Sequence, residues 1–103
     1  MTPGKKTTFS YLQGYVNDPT QKDKKEEVWT VVGPSMLTIS GVSVSTVVVT
    51  QDIQTYGTWN TNAWRWTFQY DPVSGVWLKG EPELLRGSVS GLTPFRATSL
   101  SVP

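Results

Sequence analysis

Aromatic and polar residues alternate along Ala63-Trp64-Arg65-Trp66-Thr67-Phe68-Gln69-Tyr70, with a ring at every second position and Ala, Arg, Thr and Gln between. That period belongs to a strand with one aromatic and one mixed polar face, since a helix would scatter the rings around its axis. The next residues, Asp71-Pro72-Val73-Ser74-Gly75, carry the chemistry of a type I turn. Asp71 accepts at its first position, Pro72 presets φ at the second, and Gly75 takes the positive φ where the chain re-enters the sheet. Val76-Trp77-Leu78-Lys79-Gly80 returns, so the spacing predicts a hairpin over about residues 63–80.

The same reading extends along the chain. Met1–Lys6 is polar, holds Pro3 and Gly4, and reads as a flexible arm ending in Lys5-Lys6, ahead of one β domain over residues 7–103. Phe9, Tyr11 and, after a slip, Tyr15 predict a first strand over Thr8 to Val16 with a bend or bulge at Gly14. Asn17-Asp18-Pro19-Thr20 is a turn signal. Gln21 to Glu27, with Lys22, Asp23, Lys24, Lys25, Glu26 and Glu27 in unbroken succession, reads as a solvated loop or, more sharply, as a docking patch of mixed sign.

Val28 to Val32 is expected as a short strand centred on Trp29 and Val31, ended by Gly33-Pro34-Ser35. From Met36 to Gln51 the alternation changes phase. Leu37 and Ile39 share one register, Val42 and Val44 the other, and Val47 and Val49 return to the first. Gly41 and the Ser45-Thr46 pair are the candidate turns or bulges, and two strands or one strongly bent strand fit equally well. Asp52 is the only formal charge between Val28 and Trp64, which leaves a Val/Thr/Ser-rich sheet in need of a cover from its own chain or a neighbour. Asp52 to Asn62 reads as a loop carrying Tyr56 and Trp59, and Gly80-Glu81-Pro82-Glu83 as a break in the sheet. Leu84-Leu85-Arg86-Gly87 fits a short strand or one helical turn, Ser88 to Phe95 a loop, and Ala97 to Pro103 an edge strand.

Composition sharpens this into a class. The 103 residues suit one marginally stable domain, and 9 Gly and 7 Pro with abundant Val, Thr and Ser favour strands and turns. The expectation is an all-β protein, a small antiparallel β-sandwich or barrel built around the aromatic hairpin. A net charge of +1 writes in no general affinity for nucleic acid or an anionic membrane. Neither a secretory leader nor an apolar run of membrane-spanning length is read in the chain.

Chemistry is narrowed by what the chain lacks. Without histidine or cysteine there is no imidazole catalysis, thiol nucleophile, Ser-His-Asp triad or ordinary zinc site. Gly87-Ser88-Val89-Ser90-Gly91 has the wrong spacing for a nucleophile elbow and reads as a turn. A glycosidase-like carboxylate pair would have to come from Asp18, Asp23, Asp52, Asp71, Glu26, Glu27, Glu81 and Glu83, most of which turns and loops already explain. Glu81 and Glu83 lack the spacing of a calcium site. No enzyme activity, cofactor or metal is expected. The candidate interface or ligand residues are Trp29, Trp59, Trp64, Arg65, Trp66 and Trp77, as core, as a stacking platform for sugars, or as anchors between subunits. A nucleic-acid platform would interleave basic residues, and only Arg65 is there. Candidates for assembly contacts are Lys5 and Lys6 in the arm and Lys22, Lys24, Lys25, Glu26 and Glu27 in the charged run.

Trp66-x-Phe68-x-Tyr70, a short turn, Trp77 and then Gly80-Glu81-Pro82 resembles a hairpin of small β modules in tailed-bacteriophage virion proteins, namely tail fibres, minor tail proteins and capsid appendages. The likeness spans about residues 64–82. Glu81 stands where those modules carry a glycine, and the break comes one residue early after Trp77. The resemblance implies a structural or attachment role in a phage particle, β-sandwich folding, and partners that are further copies of the chain and other virion proteins. The alternative is a carbohydrate-binding module that recognises a host-surface glycan through exposed tryptophans.

Overall fold

The computed structural model describes residues 2–14, 22–57, 61–89 and 91–98. They form six strands: β1 (Lys6–Gly14), β2 (Lys22–Ile39), β3 (Val42–Tyr56), β4 (Thr61–Tyr70), β5 (Trp77–Arg86) and β6 (Phe95–Arg96). All are antiparallel and lie in one sheet in the order of the sequence, so every strand pairs with its chain neighbours. The all-β class is as expected. The strands make one hydrogen-bonded sheet, and among the described residues no ladder joins β6 to β2.

The expected hairpin is β4–β5, and its turn is held by Asp71. The Gly75 N–H donates to the Asp71 carbonyl at 2.7 Å, Asp71 N–H to the Val76 carbonyl at 2.9 Å, and the Asp71 carboxylate accepts from Val73 N–H at 2.8 Å. Gly75 has φ of 76°, the left-handed value that a side chain would strain.

The long β2–β3 hairpin is the main departure from the sequence reading. Charge does not make Gln21–Glu27 a loop: Lys22 to Glu27 is the start of an 18-residue strand, paired with β1 on one side and, from Lys24, with β3 on the other. From Asp23 its side chains alternate between the faces of the sheet, which gives Lys24, Lys25, Glu26 and Glu27 cross-strand neighbours on both sides, while Asp23 is buried. Nor do Gly33-Pro34-Ser35 end the strand. Val32 is an extra residue between the Val31–Val49 and Gly33–Val48 pairs, a bulge that bends β2 and lets it continue to Ile39. The turn is Ser40-Gly41, with φ of 49° and 78° as a type I′ turn requires. Ser45-Thr46 lies inside β3 and is neither turn nor bulge.

The change of hydrophobic phase therefore records a switch in which face is buried. Val49 is buried on one side of β3, and Thr46, three residues away, on the other. Leu37 and Ile39 pack with Leu78 of β5, joined by partly buried Val44 and Ala97. Two hydrogen bonds tie this tip to the far end of the sheet, from the Arg96 guanidinium to the Thr38 carbonyl at 2.9 Å and from the Ser40 hydroxyl to the Thr98 carbonyl at 2.7 Å. An 18-residue strand would run about 59 Å if straight, yet the longest dimension of the molecule is 50 Å, so the hairpin coils.

Further corrections concern the other segments. The arm is fastened, since Gly4 N–H donates to the Val31 carbonyl at 2.7 Å and Val31 N–H to the Lys5 carbonyl at 2.9 Å, while Lys6 already belongs to β1. No register shift marks Gly14, and Tyr15 and Val16 lie outside the described residues. Most of the loop expected over Asp52–Asn62 is strand: β3 runs to Tyr56 and β4 begins at Thr61. Gly80-Glu81-Pro82-Glu83 does not break the sheet, and Leu84-Leu85-Arg86 is strand. Pro82 is tolerated because β6 covers β5 only at Lys79 and Gly80, leaving Pro82 on an edge where its missing N–H costs no ladder bond. The tail pairs only at Phe95–Arg96, and residues 99–103 lie outside the described residues.

Candidate functional site: the aromatic face

Cross-strand partners share a face, so the register sorts the side chains. One row runs Thr7, Trp29, Gln51, Trp66, Pro82; the row beside it runs Val31, Val49, Phe68, Gly80, Phe95. On the other side of the first lies Phe9, Glu27, Ile53, Trp64, Leu84. These rows make an aromatic and aliphatic face. The opposite face, through Thr8, Val28, Asp52, Arg65 and Glu83 and through Thr30, Thr50, Thr67 and Glu81, is mostly polar.

At one end of the apolar face the rings fill the space themselves. Phe68 is the hub: its ring lies 4.9 Å from Trp77, edge to face, 5.3 Å from Trp66 and 6.1 Å from Trp29, both stacked, and 6.3 Å from Phe95. Trp77 also meets Tyr70 at 5.1 Å and Trp29 at 6.5 Å. In a flat sheet β2 and β5 would stand about 14 Å apart, so contact between Trp29 and Trp77 means that the sheet curls toward this face. Gly80 makes the curl possible. A Cβ there would overlap the Phe95 ring, so only glycine lets that ring lie over β5 and close the cluster.

Beyond Trp66 the ring cluster stops and the face continues through more exposed side chains. Phe9 is 52%, Tyr11 41% and Leu84 47% exposed, around the half-buried Ile53 and Trp64. Two charges are set among them. The Lys25 ammonium stands 5.4 Å from the centre of the Trp64 ring. Glu27 accepts from the Tyr11 hydroxyl at 2.5 Å and from the Gln51 amide at 2.8 Å. The Tyr11 bond, aided by Gln51, Trp29 and the Lys25 charge and opposed by partial burial, holds the Glu27 carboxyl below its ordinary range. The same bond, with some burial and the Glu27 charge, pushes the Tyr11 phenol up to about 12.

The structure thus gathers Trp29, Trp66 and Trp77, with Trp64 in the adjoining row, and sends Arg65 to the polar face. There Arg65 donates to Asp52 at 2.5 Å, a bond that holds the guanidinium pKa above its ordinary value. Trp59 lies outside the described residues. Of the charged candidates, Lys25 and Glu27 share the aromatic face, whereas Lys24 and Glu26 stand on the polar one. Lys22 pairs with Gly14, and Lys5 and Lys6 adjoin the β1–β2 ladder. The sequence reading missed Phe95, taken as the end of a loop, and the more exposed row of Phe9, Ile53 and Leu84. A glycine in the middle of β5 was the available signal for Phe95, because a strand glycine marks a close approach.

A shallow depression of about 220 Å³ is lined by Glu26, Val28, Asp52, Ile53, Gln54 and Trp64, among others. Among the described residues no group of three acidic side chains is placed to hold a metal ion. No helix is long and apolar enough to cross a membrane among the same residues. No protein-family model, curated protein or solved structure matches this chain.

Proposed function

We propose that the chain is a non-enzymatic structural protein of a phage particle, acting by assembly in capsid decoration, head-to-tail joining or tail attachment. The phage context rests on the likeness of the β4–β5 hairpin to virion modules. Assembly is supported by one observation above others: the apolar side chains Phe9 and Leu84, at the two ends of one row of the aromatic face, are 52% and 47% exposed. A compact monomer of 11.4 kDa exposes about 5,800 Å², whereas this chain exposes 6907 Å². Its radius of gyration is 16.4 Å, against about 13 Å for a compact chain of this length. Among the described residues the buried hydrophobic core amounts to Leu37, Ile39, Val49, Tyr70 and Leu78.

Size-exclusion chromatography with light scattering, across a hundredfold range of protein concentration, tests the assembly reading. Oligomers or concentration-dependent association are expected, and a monomer throughout would overturn it. Sedimentation with purified particles on a density gradient tests the virion assignment. A second reading, carbohydrate binding, draws on Trp77, which is 45% exposed. Its ring is tilted by 49° to Tyr70 and 69° to Phe68, so it does not extend into the flat platform that stacking on sugar rings favours. Quenching of tryptophan fluorescence by a glycan, in a protein that stays monomeric, would decide for that reading.

A further inference from the structure

Resting on the self-association argued above, we propose where it occurs: a second copy of this chain packs face to face on the more exposed end of the aromatic face, centred on Phe9, Ile53, Trp64 and Leu84. The two sheets then form the two layers of a sandwich, each layer one copy.

Three observations select this surface and this occupant. First, the apolar row spans β1 to β5 without interruption except at Glu27, and the two side chains at its ends, Phe9 and Leu84, are 52% and 47% exposed. The opposite face at the same level carries Asp52, Arg65 and Glu83 beside Val28, and Arg65 and Asp52 form a salt bridge there. Second, the exposed surface continues past this row on the same face, where Tyr11, paired with Lys25, is 41% exposed. Third, the charges on the face are self-complementary. Lys25 and Glu27 lie two residues apart on β2, each fixed by neighbours, the lysine over Trp64 and the glutamate by Tyr11 and Gln51. A two-fold axis between them sets Lys25 of each copy against Glu27 of the other, which a partner of uniform charge would not do.

The sheet edges are poorer candidates. The open part of the β5 edge carries Pro82 between Glu81 and Glu83, and the β1 edge begins at Lys6, features that discourage strand addition.

The full chain is compared with Phe9→Arg and Leu84→Arg, and with Val73→Arg as a control at a turn position that is 94% exposed. Light scattering is expected to give a dimer for the parent and the control. Both face variants should dissociate at least about thirty-fold more readily, as loss of an interface anchor does, with unchanged far-ultraviolet circular dichroism. If the parent associates and both face variants associate equally well, this surface is wrong while self-association stands. A parent that is monomeric at every concentration removes both. Should the arginine variants fail to fold, hydroxyl-radical footprinting of the parent decides. Protection of Tyr11 and Leu84 on concentration, with Val73 unchanged, supports the proposal, and equal labelling of all of them at every concentration overturns it.

Discussion

Replacing Phe68 with alanine removes the hub of the ring cluster. The side chain touches rings from β2, β4, β5 and β6, the nearest at 4.9 and 5.3 Å, so its loss leaves Trp29, Trp66, Trp77 and Phe95 facing a void. A fully buried Phe→Ala change costs about 3–5 kcal/mol. Phe68 is only half-buried, which lowers the transfer part. Against that, each favourable ring pair carries roughly 0.5–1.5 kcal/mol beyond its buried area. Together these place the cost at about 3 kcal/mol, a large share of the ~5–10 kcal/mol that holds a domain of this size together. Urea unfolding followed by tryptophan fluorescence measures it directly, and the thermal midpoint should fall by about 12–24 °C. The near-ultraviolet circular dichroism of the coupled indoles should collapse as well. A loss below about 1 kcal/mol, no greater than that of a surface substitution, would mean that the rings do not hold the curled sheet together.

Other substitutions probe separate parts of the argument. Gly80→Ala forces a Cβ into the space of the Phe95 ring, so the ring must leave the cluster; a loss of about 1–3 kcal/mol in urea unfolding is expected, and no loss would refute the close approach. In a spectrophotometric titration, subtracting Tyr11→Phe from the parent should isolate a phenol ionising near pH 12, and a difference curve centred near 10 would break the Tyr11–Glu27 bond. For stability against pH the signs are opposite. The raised phenol adds stability that is whole below pH 10 and is lost as pH climbs through about 12, whereas the lowered Glu27 adds stability above its ordinary pKa of 4.5 that is lost on acidification below it. Both slopes should shrink in Tyr11→Phe. Asp52→Asn cuts a salt bridge in which the two side chains are 34% and 44% exposed, so it should cost less than about 1 kcal/mol by denaturation.

What could be read in advance followed from local chemistry. Alternation over Ala63–Tyr70 and the Asp71-Pro72 turn are properties of adjacent residues, and they identified β4–β5 and its connection. What escaped depends on distant neighbours. Lys22 to Glu27 resembles a solvated loop because charge usually marks one, and only pairing with β1 and β3 makes it strand. Gly33-Pro34 looks like a stop because the Val32 bulge that carries the chain past it has no composition of its own. The site was half legible. Trp29, Trp64, Trp66 and Trp77 stood out as large flat residues, yet that Trp29 would meet Trp77 across two strands, or that Phe95 would lie over Gly80, follows from the curl of the sheet.

The connectivity also bears on how the chain reaches this state. Since every ladder joins consecutive strands, assembly can proceed by zippering outward from short closures, and Ser40-Gly41 offers the shortest of these, between the two longest strands. That hairpin can start as soon as its second arm is made, whereas the latches from Arg96 and Ser40 must wait for the C-terminal segment. During synthesis the ring-bearing side of β2 would therefore spend an interval uncovered, and neighbouring nascent copies would meet it in that condition.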